Sequence, residues 1–143
     1  MLGELNAREV EALLRRNVIG RIGVHAFGRT YVVPVTYVYD GNAVFGHSRE
    51  GMKMHMMREN PHVCFEVDHM DGMSNWESVI AWGTFEELHG ERAGVALELL
   101  REQLEPKIGG PPGRSAHPTP DQPAALLYRI TLDEKTGRFE RRL

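Results

Sequence analysis

The chain has 143 residues, 41% of them apolar and 26% charged, with a formal net charge of −3. Those proportions exclude a disordered chain and suit one domain spanning residues 1–143. Acids and bases are mixed along the chain with no basic stripe, so nucleic acid is not an expected partner. No apolar run reaches the roughly 18 residues of a membrane span, and the first residues lack the basic-then-apolar pattern of an export signal. A cytoplasmic protein without membrane attachment is expected. The lone cysteine, Cys64, cannot form an internal disulfide. It stands in a strand-like run, where a buried inert thiol is the ordinary outcome.

The first element is an amphipathic helix with a clear start. Asn6 can cap it, Glu9 completes a capping box, and Leu5 and Val10 can form a hydrophobic staple. Val10, Leu13 and Leu14 supply its apolar stripe. The period then becomes extended. Residues 21–26 form a strand, 27–29 a turn, and 30–39 a long strand rich in β-branched and aromatic residues. Asp40-Gly41 is a hairpin signal, and residues 42–47 return as the next strand. A second helix covers residues 50–59 and stops at Asn60-Pro61.

Residues 62–69 make another strand, with a loop starting at Asp71-Gly72. Residues 76–88 are a long strand with a bend or bulge at Gly83. A third helix follows over 91–104, with Val95, Leu99, Leu100 and Leu104 on its apolar side. Residues 106–123 hold six of the eight prolines and read as a Pro/Gly-rich loop or arm. A last strand covers 126–132, residues 134–137 make a turn, and 138–143 extend or pair. Short connections force antiparallel pairing. The expected fold is mainly β with inserted helices, a six-stranded antiparallel barrel.

The seven histidines stand on different elements without the helical HExxH spacing or a cysteine pair, so no metal site is expected. Phosphate-loop, dinucleotide and serine-nucleophile motifs are missing as well. One stretch invites chemistry. Pro34 interrupts a strong strand although it cannot donate to a sheet ladder. After the hairpin, residues 45–53 (FGHSREGMK) run from a strand end into a helix, whose free N–H groups can hold a phosphate. His47, Ser48, Arg49 and Lys53 would add side-chain donors. On the residues alone, a phosphate site and a Ser-capped helix with surface bases fit equally well.

In this stretch and five others the chain resembles the pyridoxamine 5′-phosphate oxidase-like FMN-binding split barrels, most of all the branch with the nitroimidazole-resistance proteins. The segments are 17–23 (NVIGRIG), 31–40 (YVVPVTYVYD), 45–53, 60–67 (NPHVCFEV), 76–83 (WESVIAWG) and 128–138 (YRITLDEKTGR). Their order and spacing carry the likeness. It implies a homodimer with FMN between the subunits. Val33, Pro34, Val35 and Thr36 would lie along the isoalloxazine ring. His47 and Ser48 would reach the ribityl-phosphate region, with Gly51, Met52 and Lys53 on the phosphate. Trp76 and Ser78 would approach from the strand that helps form the dimer cleft.

Trp76 and Trp82 share a strand face by the period of two, and Trp82 reads as core or interface packing. Four methionines in the second helix read as core filler. Glu66 and Asp68 read as solvated acids with no visible partner. The resemblance implies an FMN-dependent oxidoreductase of small molecules, such as aromatic or nitro compounds. No side chain stands out as proton donor, so no catalytic residue is named. The C-terminal residues do not resemble the tail that completes the substrate site of true pyridoxamine-phosphate oxidases. The alternatives are an FMN carrier or sensor, or the same barrel holding haem or a deazaflavin.

Overall fold

The capping signal at Asn6 starts the first helix where the sequence places it. In the computed structural model, which describes residues 1–108 and 126–142, α1 runs over Ala7–Arg16. Asn6 Oδ1 accepts from the Glu9 N–H at 2.9 Å, and Glu9 Oε1 accepts from the Asn6 N–H at 3.0 Å. Val10, Leu13 and Leu14 are buried from this helix. A short strand that the sequence does not announce, β1 (Leu2–Glu4), precedes it.

The extended runs form β2 (Ile19–Ala26), β3 (Arg29–Thr36), β4 (Val38–Tyr39), β5 (Ala43–Ser48), β6 (His62–Gly72), β7 (Asn75–Leu88) and β8 (Leu126–Glu140). Helix α2 (Met52–Glu59) lies between β5 and β6, and α3 (Gly90–Ile108) between β7 and β8. All pairings are antiparallel, in the order β3-β2-β6-β7-β8-β5-β4, with β1 on the end of β8. The two ends of that order belong to one run of chain. Only Tyr37 separates β3 from β4; its N–H donates to Val18 O at 2.9 Å and its hydroxyl to Leu14 O at 2.7 Å. The run pairs with β2 before this break and with β5 after it, so the sheet closes on itself. Counted with β3 and β4 as one strand, the barrel has the six strands read from the sequence, and β1 is an addition.

The barrel interior is filled by side chains that alternate inward along each strand. Ile22, Tyr37, Phe65, Val67, Val79, Tyr128 and Ile130 are all but inaccessible there, with Leu13 and Leu14 of α1. Met54, Met56 and Met57 of α2 join the same core, the filler role expected of them. A second, smaller cluster sits outside the barrel, where Ala96, Leu100 and Leu104 of α3 cover Val38, Leu88 and Leu127.

Several boundaries differ from the sequence reading. No turn interrupts residues 134–137, because β8 runs on to Glu140 in register with β7. The bend sits one step earlier. Trp82 pairs with Glu134 and Gly83 with Leu132, so Asp133 is the extra residue of a bulge opposite Gly83. A Cβ on Gly83 would stand 2.3 Å from Thr131 O, which is why glycine occupies the bend. β6 continues through Asp71 to Gly72, past the expected loop, because β7 pairs with it across a second irregularity between Met70 and Gly72. α3 runs to Ile108 and holds Pro106 in its last turn, so residues 106–108 are helical. Residues 109–123 of the expected arm lie outside the described residues. Val95 is 71% exposed, and Ala96 takes the core position expected of it.

Candidate functional site

The barrel has a slit. β3 and β5 approach each other without hydrogen bonding, so among the described residues the outer edge of β3 is unpaired along its length. Pro34 fits mid-strand because this is an edge, and its missing N–H faces away from β2. The Tyr37 N–H points toward the β2 side. Alternation therefore directs the backbones of Val33 and Val35 into the β2–β3 ladder, and those of Val32, Pro34 and Thr36 to the slit.

The four residues expected along the ledge are thus divided. Pro34 and Thr36 offer backbone groups at the open edge, while the Val33 and Val35 side chains pack on the core. Val32, which the sequence reading did not name, offers both an N–H and a C=O. The period of two counted from Pro34 was the signal that could have found it.

β5 brings His47 and Ser48 to the mouth of the slit and leads into α2. Gly46 permits this course, since a Cβ there would meet the Tyr128 hydroxyl at 2.4 Å. The Ser48 hydroxyl donates to Arg49 O at 2.7 Å and does not cap α2. The N-cap is Gly51, which has no side chain to offer, so the first-turn N–H groups of α2 have no side-chain cap. Lys53 stands in that first turn. It is half-buried, burial pushes its pKa below the ordinary lysine value, and it makes no hydrogen bond or ion pair among the described residues. Glu50, the acid before the helix, is held instead by Arg58, whose Nη2 donates to Glu50 Oε2 at 2.9 Å and whose Nε donates to Glu87 Oε1 at 2.7 Å.

Trp76 and Ser78 are not brought to this place. They pair with Glu140 and Arg138 at the far end of β8 and with Met70 and Asp68 on β6. Glu87, at the other end of β7, is the residue tied to α2. At about 3.3 Å per residue, roughly 35 Å of strand separates it from Trp76. Two grooves run along that far region. One of 380 Å³ includes Trp76, His69 and Arg141, and one of 750 Å³ includes Ile80, Trp82 and Lys135.

The other singled-out residues have plain settings. His25 hydrogen-bonds Thr30, His69 hydrogen-bonds Asp71, and His55 stacks on Phe27. No metal-holding group of three or more His, Cys, Asp or Glu occurs among the described residues. Glu66 and Asp68 do have a partner, Arg21 on β2, at 3.3 and 3.7 Å. The sequence could not show it, because the pairing crosses strands far apart in the chain. No described helix is long and apolar enough to cross a membrane.

Solved structures with the same architecture, and a relative by sequence, are known. An FAD-binding protein of Mesorhizobium loti is 28% identical, aligned over 97% of this chain and 98% of its own, with a TM-score of 0.75. A protein of Rhizobium meliloti (strain 1021), named as uncharacterised, is 28% identical over 148 residues, covering 94% of this chain and 92% of that one. A proposed 5-nitroimidazole antibiotic resistance protein of Bacteroides thetaiotaomicron covers 97% of this chain and 87% of its own, with a TM-score of 0.76. At 18% identity it shows the shared fold alone. The family model described as pyridoxamine 5′-phosphate oxidase matches residues 6–139, the slit, its ledge and α2 included. The chain belongs to the pyridoxamine 5′-phosphate oxidase family.

Proposed function

We propose that this protein is a flavoprotein that holds FMN in the slit between β3 and β5 and serves as an oxidoreductase of small molecules. The observation that carries this reading is Lys53, a half-buried cation without a counter-ion among the described residues, in the first turn of α2 with no side-chain cap. A phosphate there would receive the α2 N–H groups and the Lys53 ammonium together. His47 and Ser48 would flank the ribityl chain, and Gly51, without a side chain, would let the phosphate approach the backbone. The open edge of β3 would present the Val32 and Thr36 N–H groups and the Pro34 C=O to the polar rim of the ring.

A bound flavin supplies two-electron redox chemistry, and the protein's part is to bind, orient and shield it. The FAD-binding name of the Mesorhizobium loti relative supports a flavin. The phosphate next to the ribityl chain is common to FMN and FAD, so Lys53 would serve either, and FMN is the narrower proposal.

The ring would need a second wall, and Trp76 and Ser78 cannot supply it within one chain. We place them on the flavin of a partner subunit, in a homodimer with a cofactor at each interface. The outer barrel face supports such docking, because Val32 on β3 and Ile19 on β2 are 65 and 50% exposed, and Ile80 and Trp82 on β7, one strand further on past β6, are 40 and 44% exposed.

The test is a titration of the purified protein with FMN and with FAD, read by absorbance, then addition of NADH or NADPH to the loaded form. Tight FMN binding followed by flavin reduction supports the proposal. Failure to take up either flavin at micromolar concentration overturns it; preference for FAD corrects the cofactor and leaves the slit in place.

A further inference from the structure

Helix α2 starts among charges of both signs. Glu50 stands one residue before the N-cap Gly51, and Lys53 two residues after it. The positive end of the helix dipole attracts an acid placed there, and a lysine three positions on is a natural partner for it. Near-neighbour preference alone would pair Glu50 with Lys53 and fill the start of the helix with the chain's own carboxylate. The structure has a different arrangement. Arg58 Nη1 donates to Glu50 Oε1 and Nη2 to Oε2, the latter at 2.9 Å, while Lys53 makes no hydrogen bond or ion pair among the described residues.

Arg58 lies in the last turn of α2 and is anchored from the barrel side. Its Nε donates to Oε1 of Glu87 on β7 at 2.7 Å, and the Glu87 side chain is only 18% exposed. Glu50 is 62% exposed, and Arg58 is its one hydrogen-bonding side chain among the described residues. The planar guanidinium thus fixes itself on one carboxylate through Nε and grips the other with both Nη groups, a division that the point charge of a lysine cannot reproduce. The hydrogen bonds from Arg58 hold the Glu50 carboxyl below its ordinary pKa, so it carries a full negative charge at neutral pH.

We infer that Arg58 is a positioning residue: anchored on Glu87, it keeps the Glu50 carboxylate off Lys53 and so leaves the first turn of α2 open to an outside anion. Without Arg58, Glu50 becomes a competitor built into the chain. Its short tether to Lys53 gives it a high effective concentration there, and a phosphate has to displace it. Where Glu50 sits is a property of the flavin-free chain; the consequence for flavin rests on the phosphate reading above.

The test compares FMN affinity in wild type, Arg58→Met and the double variant Arg58→Met/Glu50→Gln, together with a crystal structure of flavin-free Arg58→Met. Arg58→Met is expected to raise the Kd for FMN about two- to fivefold, the scale of one exposed ion pair. The double variant should return to within about twofold of wild type. It lacks the Glu87 contact just as the single variant does, so damage to folding would persist in it and only the release of Glu50 is repaired. In the crystal structure the Glu50 carboxylate should lie within hydrogen-bonding distance of Lys53 Nζ. Wild-type affinity in Arg58→Met, a loss that Glu50→Gln does not restore, or a Glu50 that stays in solvent or on another cation overturns the role given to Arg58. A wild type that takes up no flavin overturns the phosphate reading instead, and the position of Glu50 in Arg58→Met still decides whether Arg58 keeps it from Lys53.

Discussion

A half-buried ammonium group without a counter-ion destabilises the free protein and is ready-made for an anion. Lys53 therefore has opposite effects in the two states. Its pKa is depressed by burial, so the stability linked to it is present above the ordinary lysine value and lost as pH falls through the depressed one. Lys53→Met should raise the melting temperature of the flavin-free protein at neutral pH. The same substitution should weaken FMN by about 1.5–3 kcal/mol, the range of a charge-assisted hydrogen bond, or roughly ten- to a hundredfold in Kd. Melting curves and flavin titrations on one preparation check both. Unchanged affinity would remove Lys53 from the phosphate site. The sequence showed that a lysine enters a helix start there. Its lack of a partner depends on Arg58 reaching Glu50 first, a contact between side chains eight positions apart.

At the scale of elements, two substitutions separate what local signals determine from what packing demands. The α1 cap is a local device, complete within four residues. Asn6→Ala should cost about 1 kcal/mol, seen in urea as a lower midpoint at unchanged slope. Gly83 answers to a strand nearly fifty residues away. Gly83→Ala drives a Cβ into Thr131 O, a backbone atom that cannot swing aside. An overpacking loss of about 1–3 kcal/mol, or more, is expected, read as a melting temperature several degrees lower. A Gly83→Ala protein as stable as wild type would mean that the bulge relaxes freely. The bulge also explains the misplaced turn. Glu134-Lys135-Thr136-Gly137 has turn composition, but β7 offers a continuous ladder through it, and those hydrogen bonds outweigh local preference.

The proposed site spans two copies of the chain, and that arrangement predicts complementation. Lys53→Ala should lose the phosphate end and Trp76→Ala the opposing wall, each lowering flavin binding on its own. A mixed dimer of the two variants holds one site with both defects and one with none. Subunits unfolded together and refolded should therefore recover flavin capacity, at one site per mixed dimer, counted by absorbance against protein. Failure to recover any capacity, with both variants dimeric, would place Trp76 elsewhere. Roughly 35 Å of strand lies between Trp76 and Glu87, the β7 residue tied to α2, so the two ends of the proposed site fall at opposite ends of β7.

By itself, the sequence determined the features that depend on near neighbours. Asn6 and Glu9 set the start of α1, Asp40-Gly41 turned β4 into β5, and the β-branched and aromatic residues of 30–39 made an extended run in which Pro34 marked an irregular place. Those signals act within a few residues and survive in any context; their order along the chain indicated a six-stranded antiparallel barrel, and the family resemblance made it a split one. What tertiary structure decided were relations between distant segments. It joined both ends of the sheet through the break at Tyr37, and it set Arg21 against Glu66 and Asp68. It left Lys53 without a counter-ion among the described residues, and it set Trp76 at the end of β7 away from α2. Each of these depends on which strands become neighbours when the barrel closes, a choice made by burying one shared core rather than by any local preference.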